Sequence, residues 1–333
     1  MPRFLLQRAA WAGFVVFAVV SIVFFLMYGI GDACASKLGP NAKPEQVAQC
    51  RAFYGFDRPL PEQYLAYVGL GACVRQGSDA WSEAPNERGR CGLLQGDLGE
   101  SMLHDDAVTD VILARLPRTL LLGGMAMGFE LLLGVFIGVI AAVRRNTWFD
   151  TGFMATAFVG ISAPSFLTGL IFLYFFAFRL GWFPVGGYGI EGWDHVRHAV
   201  LPAMTLAIIG AATYARIMRS EMIETLRADY IRTAKAKGVG PIRVVFAHGV
   251  RNALLPIVTL MGLQLRLLVS GAIITESIFA WPGVGRLALE SITNQDAFIV
   301  MGVVIIVSLT VQTGNLFADV AVGGLDPRVR PSD

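Results

Sequence analysis

The chain has 333 residues, 55% of them hydrophobic and 16% charged, a balance too apolar for a typical soluble domain. Its formal net charge is only +2, which excludes bulk attraction to nucleic acid and makes the placement of the charges matter more than their sum. No nucleic-acid partner is expected.

Six apolar spans follow one another at 9–28, 120–143, 153–178, 199–214, 254–274 and 297–317, each near the ~20 residues that cross a bilayer. The expected fold class is therefore an all-α membrane protein with six transmembrane helices. Arg3 and Arg8 precede the first span, which reads as a retained anchor. Arg144 and Arg145 follow the second, a basic loop follows the fourth, and Arg328 and Arg330 follow the sixth. Positive-inside asymmetry assigns all three, and with them both termini, to the cytoplasm. The 275–296 loop carries Glu276, Glu290 and Asp296 against Arg286 and is expected to face out.

Residues 29–118 form a polar segment far longer than a usual connection. It holds all four cysteines, Cys34, Cys50, Cys73 and Cys91. In an oxidising compartment two disulfides are expected, with three connectivities open. The 179–198 loop is rich in aromatic residues, Trp182, Phe183, Tyr188 and Trp193. Such rings belong at the membrane–water boundary, or at an outer mouth that a partner would approach. Pro164 and Pro202 fall at or in spans, where neighbouring helices can satisfy the freed backbone groups.

Two charges interrupt the apolar runs, Glu130 in the second span and Arg266 in the fifth. Counted from the outer edge they lie about 15 and 12 Å deep by helical rise. Charges at that depth are costly against lipid, so the two are expected to face each other or a watery translocation path. The first role is a structural tie, the second a polar lining.

No Gly-x4-Gly-Lys-Ser/Thr loop occurs, so the chain lacks the usual equipment for ATP. His104, His195, His198 and His248 have no metal-binding spacing. Nucleophile elbows and paired catalytic carboxylates are missing too. Neither an enzyme activity, a metal nor a cofactor is expected in this chain.

The one long basic segment, 216–253, carries eight Lys/Arg against three acids. Met222, Leu226, Tyr230, Ile231 and Ala234 recur on roughly one helical face, and the small Ala234, Ala236 and Gly238 would admit another backbone. A helix lying on lipid would need bulky anchors there; this one suggests a docking element for a soluble partner.

The stretch Asp229-Tyr230-Ile231-Arg232-Thr233-Ala234-Lys235-Ala236-Lys237-Gly238, running on to His248, Arg251 and Asn252, resembles the cytoplasmic coupling loop of bacterial ATP-binding-cassette importer permeases of the dipeptide/oligopeptide/nickel family. The general pattern there is Glu-Ala-Ala, three residues, then Gly. Here Arg232-Thr233-Ala234 and Gly238 take those places, the form this peptide-importer family uses. Further strings agree in order: Ser162-Ala163-Pro164-Ser165-Phe166, Gly181-Trp182-Phe183-Pro184-Val185-Gly186-Gly187, Leu201-Pro202-Ala203, Glu276-Ser277-Ile278-Phe279-Ala280-Trp281-Pro282-Gly283-Val284-Gly285-Arg286 and Leu325-Asp326-Pro327-Arg328-Val329-Arg330.

The resemblance runs from about Gly96 to the C-terminus and takes in the first span. The family is shorter between its first two spans, so an enlarged external loop is expected. The implied organisation is a first transmembrane helix within 1–30, an extracytoplasmic insert at 31–118, a five-helix permease core at 119–320 containing coupling loop 216–253, and a cytoplasmic tail at 321–333. The implied setting is the bacterial inner membrane. Implied partners are a second homologous permease, two ATPase subunits that bind ATP and Mg, and an extracytoplasmic substrate-binding protein. The implied substrate is a peptide or a related small solute. The competing reading, a self-sufficient secondary transporter or channel, leaves the basic loop without a task.

Overall fold

The computed structural model describes residues 2–30, 33–39, 41–70, 92–104, 106–258, 260–261 and 272–325. Within these the backbone is helical, and the only strand-like feature is one antiparallel bridge between Glu100 and Ala107. Hydrocarbon offers backbone N–H and C=O groups no partner, so a spanning segment must satisfy them internally. The helices are α1 (Pro2–Ile30), α2 (Ala33–Leu38), α3 (Pro44–Tyr54), α4 (Leu60–Val68), α5 (Val108–Val143), α6 (Trp148–Ser162), α7 (Ser165–Phe172), α8 (Gly192–Arg227) and α9 (Asp229–Ala236). Next come α10 (Pro241–Arg243), α11 (Arg251–Ala253), α12 (Ala272–Ile278), α13 (Val284–Thr293) and α14 (Ala297–Leu325).

Four of the described helices, α1, α5, α8 and α14, are long and apolar enough to cross a membrane. A fifth crossing exists if α6 and the helix after it count as one. The expected third span is thus not one rod. Its two halves bend by 106° where Ala163 is extended and Pro164 caps the next helix, since a residue before proline avoids the helical region. After α7 the helix widens over Leu173–Arg179, and Leu180 N–H donates to Phe175 O, five residues back. The expected fifth span, 254–274, lies largely outside the described residues. Both α5 and α8 have 36 residues, about 54 Å by helical rise, so each overshoots the apolar run that identified it.

The chain divides into two compact units, Met1–Pro117 with Leu287–Leu309, and Arg118–Arg286 with Thr310–Asp333. In the first, rings hold the segment after α1 in place. Phe24 is fully buried, with Tyr28 at 4.2 Å and Tyr67 at 5.4 Å between ring centroids. The Ser21 and Tyr64 hydroxyls meet at 2.6 Å, while Tyr54 and Phe56 reach Phe298 at 5.9 and 6.0 Å. A Cys34–Cys50 disulfide joins α2 to α3 with 5.8 Å between Cα atoms, and closing a loop of this length stabilises by about 3 kcal/mol. Cys73 and Cys91 lie outside the described residues.

In the second unit the organising contact is between α5 and α8. Leu122, Ala126, Glu130, Gly134 and Gly138 recur every fourth residue on α5, and all are buried. Opposite them on α8 stand Ala203, Gly210, Ala211, Tyr214, Ala215 and Met218, also buried. A methyl at Gly134 would lie 2.5 Å from Tyr214 Cβ, and one at Gly138 2.6 Å from Met218 Cβ. Gly134 and Gly138 are a Gly-x-x-x-Gly pair, the spacing that brings membrane helices together through small residues. Gly134→Ala and Gly138→Ala should therefore each destabilise by about 1–3 kcal/mol through overpacking. Gly124→Ala, where an added methyl meets nothing, should be neutral or stabilising. Thermal unfolding in detergent, followed by size exclusion, separates these outcomes.

Candidate functional site

The basic segment is built around a break. α8 runs on to Arg227, and Ala228 then adopts φ −64° and ψ 149°, which ends one helix and starts the next. The single helical face expected from Met222 to Ala234 is therefore cut in two. Met222 packs with Tyr214, Met218, Ala253 and Ile257 in a fully apolar cluster. Beyond the break Ile231 is the buried side chain of α9. Ala234 is half-buried, and Asp229, Tyr230, Arg232, Thr233, Lys235, Ala236 and Lys237 are exposed.

A paired hydrogen-bond cap closes α9. Gly238 N–H donates to Lys235 O at 3.0 Å and Val239 N–H donates to Ala234 O at 3.2 Å. Gly238 sits at φ +79°, the left-handed conformation that such a cap requires. Its role within this chain is thus the turn itself. The helix then resumes at α10, widens over Val244–Val250 and continues into α11. Asn252 ties the two arms together, its Nδ2 donating to the Tyr230 hydroxyl at 3.0 Å and to His248 O at 2.9 Å. The residues named from the loop pattern therefore do gather on one surface, with Arg251 and Asn252 exposed beside α9 and His248 half-buried.

A clamp that sequence reasoning missed lies nearby. Arg219 on α8 grips Asp150 on α6 with both arms, Nε to Oδ1 at 2.6 Å and a terminal nitrogen to Oδ2 at 2.7 Å. Asn146 N–H donates to the same Oδ2 at 3.0 Å. Asp150 is buried. In the sequence Arg219 is one basic residue among eight, and nothing local distinguishes it.

The loop expected to be acidic and outward-facing holds a second built feature. Glu276 is fully buried, just past the fifth apolar run. Its Oε1 accepts from the Thr119 hydroxyl and its Oε2 from Arg286 N–H, both at 2.8 Å. Thr119 Oγ1 in turn accepts from Val284 N–H at 2.8 Å. Burial pushes the Glu276 carboxyl up, while the N–H groups of Arg286 and Gly285 and the Thr119 hydroxyl oppose the shift. Trp281, also fully buried, donates Nε1–H to Arg118 O at 3.2 Å. The Arg118 guanidinium lies 4.9 Å above the Tyr188 ring. Asp296, at the other end of the loop and in the first unit, is buried and accepts from the Ser101 hydroxyl at 2.7 Å and from Leu103 N–H at 3.1 Å. Two of the loop's acids are thus internal struts. Charge counting assigns the loop a side of the membrane and does not reveal this burial, because it ignores which N–H groups the fold brings to the acids.

Trp182 and Trp193 are exposed, as boundary rings would be, whereas Tyr188 stacks on His195 at 4.0 Å. His195 and His198 each meet a backbone carbonyl through Nδ1 at 2.8 Å. Glu130 lies on the α5–α8 seam with its carboxylate pressed against Gly210, and its Oε2 has no hydrogen-bond partner among the described residues. Arg266, named with it from the sequence, lies outside the described residues.

Residues 134–331 match the family described as the binding-protein-dependent transport system inner membrane component, and residues 1–123 match the N-terminal part of such membrane components. The di/tripeptide transport system permease protein DppB of Pseudomonas aeruginosa is 38% identical over 94% of either chain. The oligopeptide transport system permease protein AppB of Bacillus subtilis is 33% identical over 99% of either chain. Glutathione transport system permease protein GsiC of Salmonella choleraesuis is 36% identical over 94% of either. The N-terminal family match takes in 31–118. Among solved structures, an inward-facing form of the MetNI methionine ABC transporter superposes with a TM-score of 0.52 at 18% identity, covering 65% of this chain and 96% of that one. This is a likeness of fold.

The clamp carries its own prediction. Arg219→Lys keeps the charge but loses the two-pronged geometry, and Asp150→Asn keeps the shape but loses the charge. Each should cost about 1.5–3 kcal/mol, the range for a hydrogen bond to a charged group. Melting temperature in detergent should fall in both variants, and an unchanged melt in both would show that the clamp does not hold α6 to α8.

Proposed function

The chain belongs to the peptide-transport permeases of ATP-binding-cassette importers, and from that premise we propose that it forms half of a translocation pathway for peptides or a related small solute. A second, homologous permease forms the other half. Two ATPase subunits bind ATP and Mg on the cytoplasmic side, where both termini lie, and an extracytoplasmic binding protein delivers the solute. This chain hydrolyses nothing itself and contributes the coupling surface.

One observation carries the reading. α9 is a helix of eight residues that buries Ile231 and turns nearly everything else outward. A capped turn at one end and the Asn252–Tyr230 bond beside it hold the helix in place. The rest of its surface is largely exposed, and a cleft in an ATPase gives that surface a task. Residues Asp229 to Gly238, with His248, Arg251 and Asn252, then pass ATPase closure to α8 as a rigid-body rocking between inward and outward access. Each state must present the solute with different contacts, because a ligand shifts only an equilibrium whose two states it binds differently.

Ala236 tests this without disturbing the fold, since it is exposed and bulk there meets only a partner. Ala236→Trp should leave membrane insertion and melting temperature unchanged. Substrate-stimulated ATP hydrolysis in reconstituted vesicles should fall at least ~10-fold, a loss of about 1.4 kcal/mol of contact. Normal coupled uptake by this variant would rule out a close-packed docking helix.

We retain Glu130 and Arg266 as an intramembrane pair, supported by their similar depth and by the seam position of Glu130. Removing one partner leaves a buried charge uncompensated, at a cost of about 3–5 kcal/mol. Assembly and uptake should therefore be worse in Glu130→Leu or Arg266→Leu than in the double variant. Simple addition of the two single losses would exclude the pair.

A further inference from the structure

The inner end of α5 opens into a groove that the transport reading does not use. Its walls are apolar, formed by Val139, Val143 and Phe153 on one side and Ile242 and Phe246 on the other, with a volume of about 480 Å³. Arg144 stands at its lip, its guanidinium 4.6 Å above the Phe149 ring. Within this chain the walls are open: Val143 is 52%, Ile242 76% and Phe246 61% exposed. No acidic side chain lines the groove, and the nearest acid on α6, Asp150, is turned to Arg219.

The groove continues an exposed apolar face of α5. Leu132, Phe136 and Val143 share one face of α5, and all are exposed in a helix long and apolar enough to span the bilayer. The apolar run ends at Val143, and Arg144 and Arg145 follow at once. Trp148, 75% exposed, stands at the same level, where amphipathic rings mark the membrane interface. Walls and lip thus have the polarity order of a phospholipid, hydrocarbon first and an anion-seeking group at the headgroup level.

We propose that this groove is a binding site for an anionic phospholipid, with acyl chain against Val139, Phe153, Ile242 and Phe246 and phosphate at Arg144. Occupancy ties the turn after α5 to the start of the helix that leaves the coupling loop.

The test uses the complete importer in nanodiscs carrying either photoactivatable phosphatidylglycerol or photoactivatable phosphatidylcholine, with adducts mapped by mass spectrometry. Phosphatidylglycerol should label residues 139–153 and 241–246 more strongly than phosphatidylcholine does. Arg144→Gln should lower the phosphatidylglycerol adducts about fivefold, the effect of one basic residue near an anionic surface, and leave phosphatidylcholine labelling unchanged. Val143→Trp, at an exposed wall position, should lower both. Equal labelling by the two lipids, or labelling that neither variant changes, would overturn the site. So would an unlabelled groove whose Ile242 or Phe246 crosslinks to another subunit, since a protein partner would then be the occupant.

Discussion

The second unit rests on how closely α5 approaches α8. In lipid there is no hydrophobic gain from pressing two apolar helices together, so packing and hydrogen bonding must supply the attraction. Small residues at Ala126, Gly134 and Gly138 on one stripe of α5 let the backbones come near enough for dispersion to accumulate over several turns. The seam also fixes what else can sit there. Glu130 occupies the same stripe one turn before Gly134, and only a glycine opposite, Gly210, leaves room for its carboxylate. The single charge of that span is thus held where α5 meets α8 and kept off the lipid-facing side.

In both units, buried acids do the work that apolar contacts cannot do with such specificity. Asp150, Glu276 and Asp296 are each buried, and each is met by a backbone N–H together with a hydroxyl or guanidinium. Removing a carboxylate from water is expensive unless its lone pairs are satisfied. The partners therefore have to be present at fixed positions before burial is tolerable. Such a constraint selects one arrangement out of many that would bury the same area, which is how a loosely apolar molecule acquires definite joints.

The basic loop between α8 and α11 applies the same economy of contact to a surface element. A short helix by itself is marginal in water, and α9 buries little. It is held instead by an extended residue before it, a left-handed glycine after it and a hydrogen bond from the neighbouring arm.

Length of apolar run and asymmetry of basic charge are properties of neighbouring residues, set by partition between water and hydrocarbon. They were legible in the chain alone, as was the class of membrane transport component it belongs to. The Gly134–Gly138 spacing was equally open to view and went unread. Other features had no local signature. Thr119 and Glu276 are 157 positions apart, Ser101 and Asp296 are 195, and Asp150 and Arg219 are 69. Which acid is a strut and which faces solvent depends on those distant donors. The break at Ala228 belongs here too, since the periodicity from Met222 to Ala234 reads as one helix until tertiary packing claims Met222 for one cluster and buries Ile231 beyond the turn. The chain by itself determined that it crosses a membrane and carries one long basic loop. Only the tertiary structure decided which polar groups pair, because a hydrogen bond is made by proximity in space and the sequence orders residues along a line.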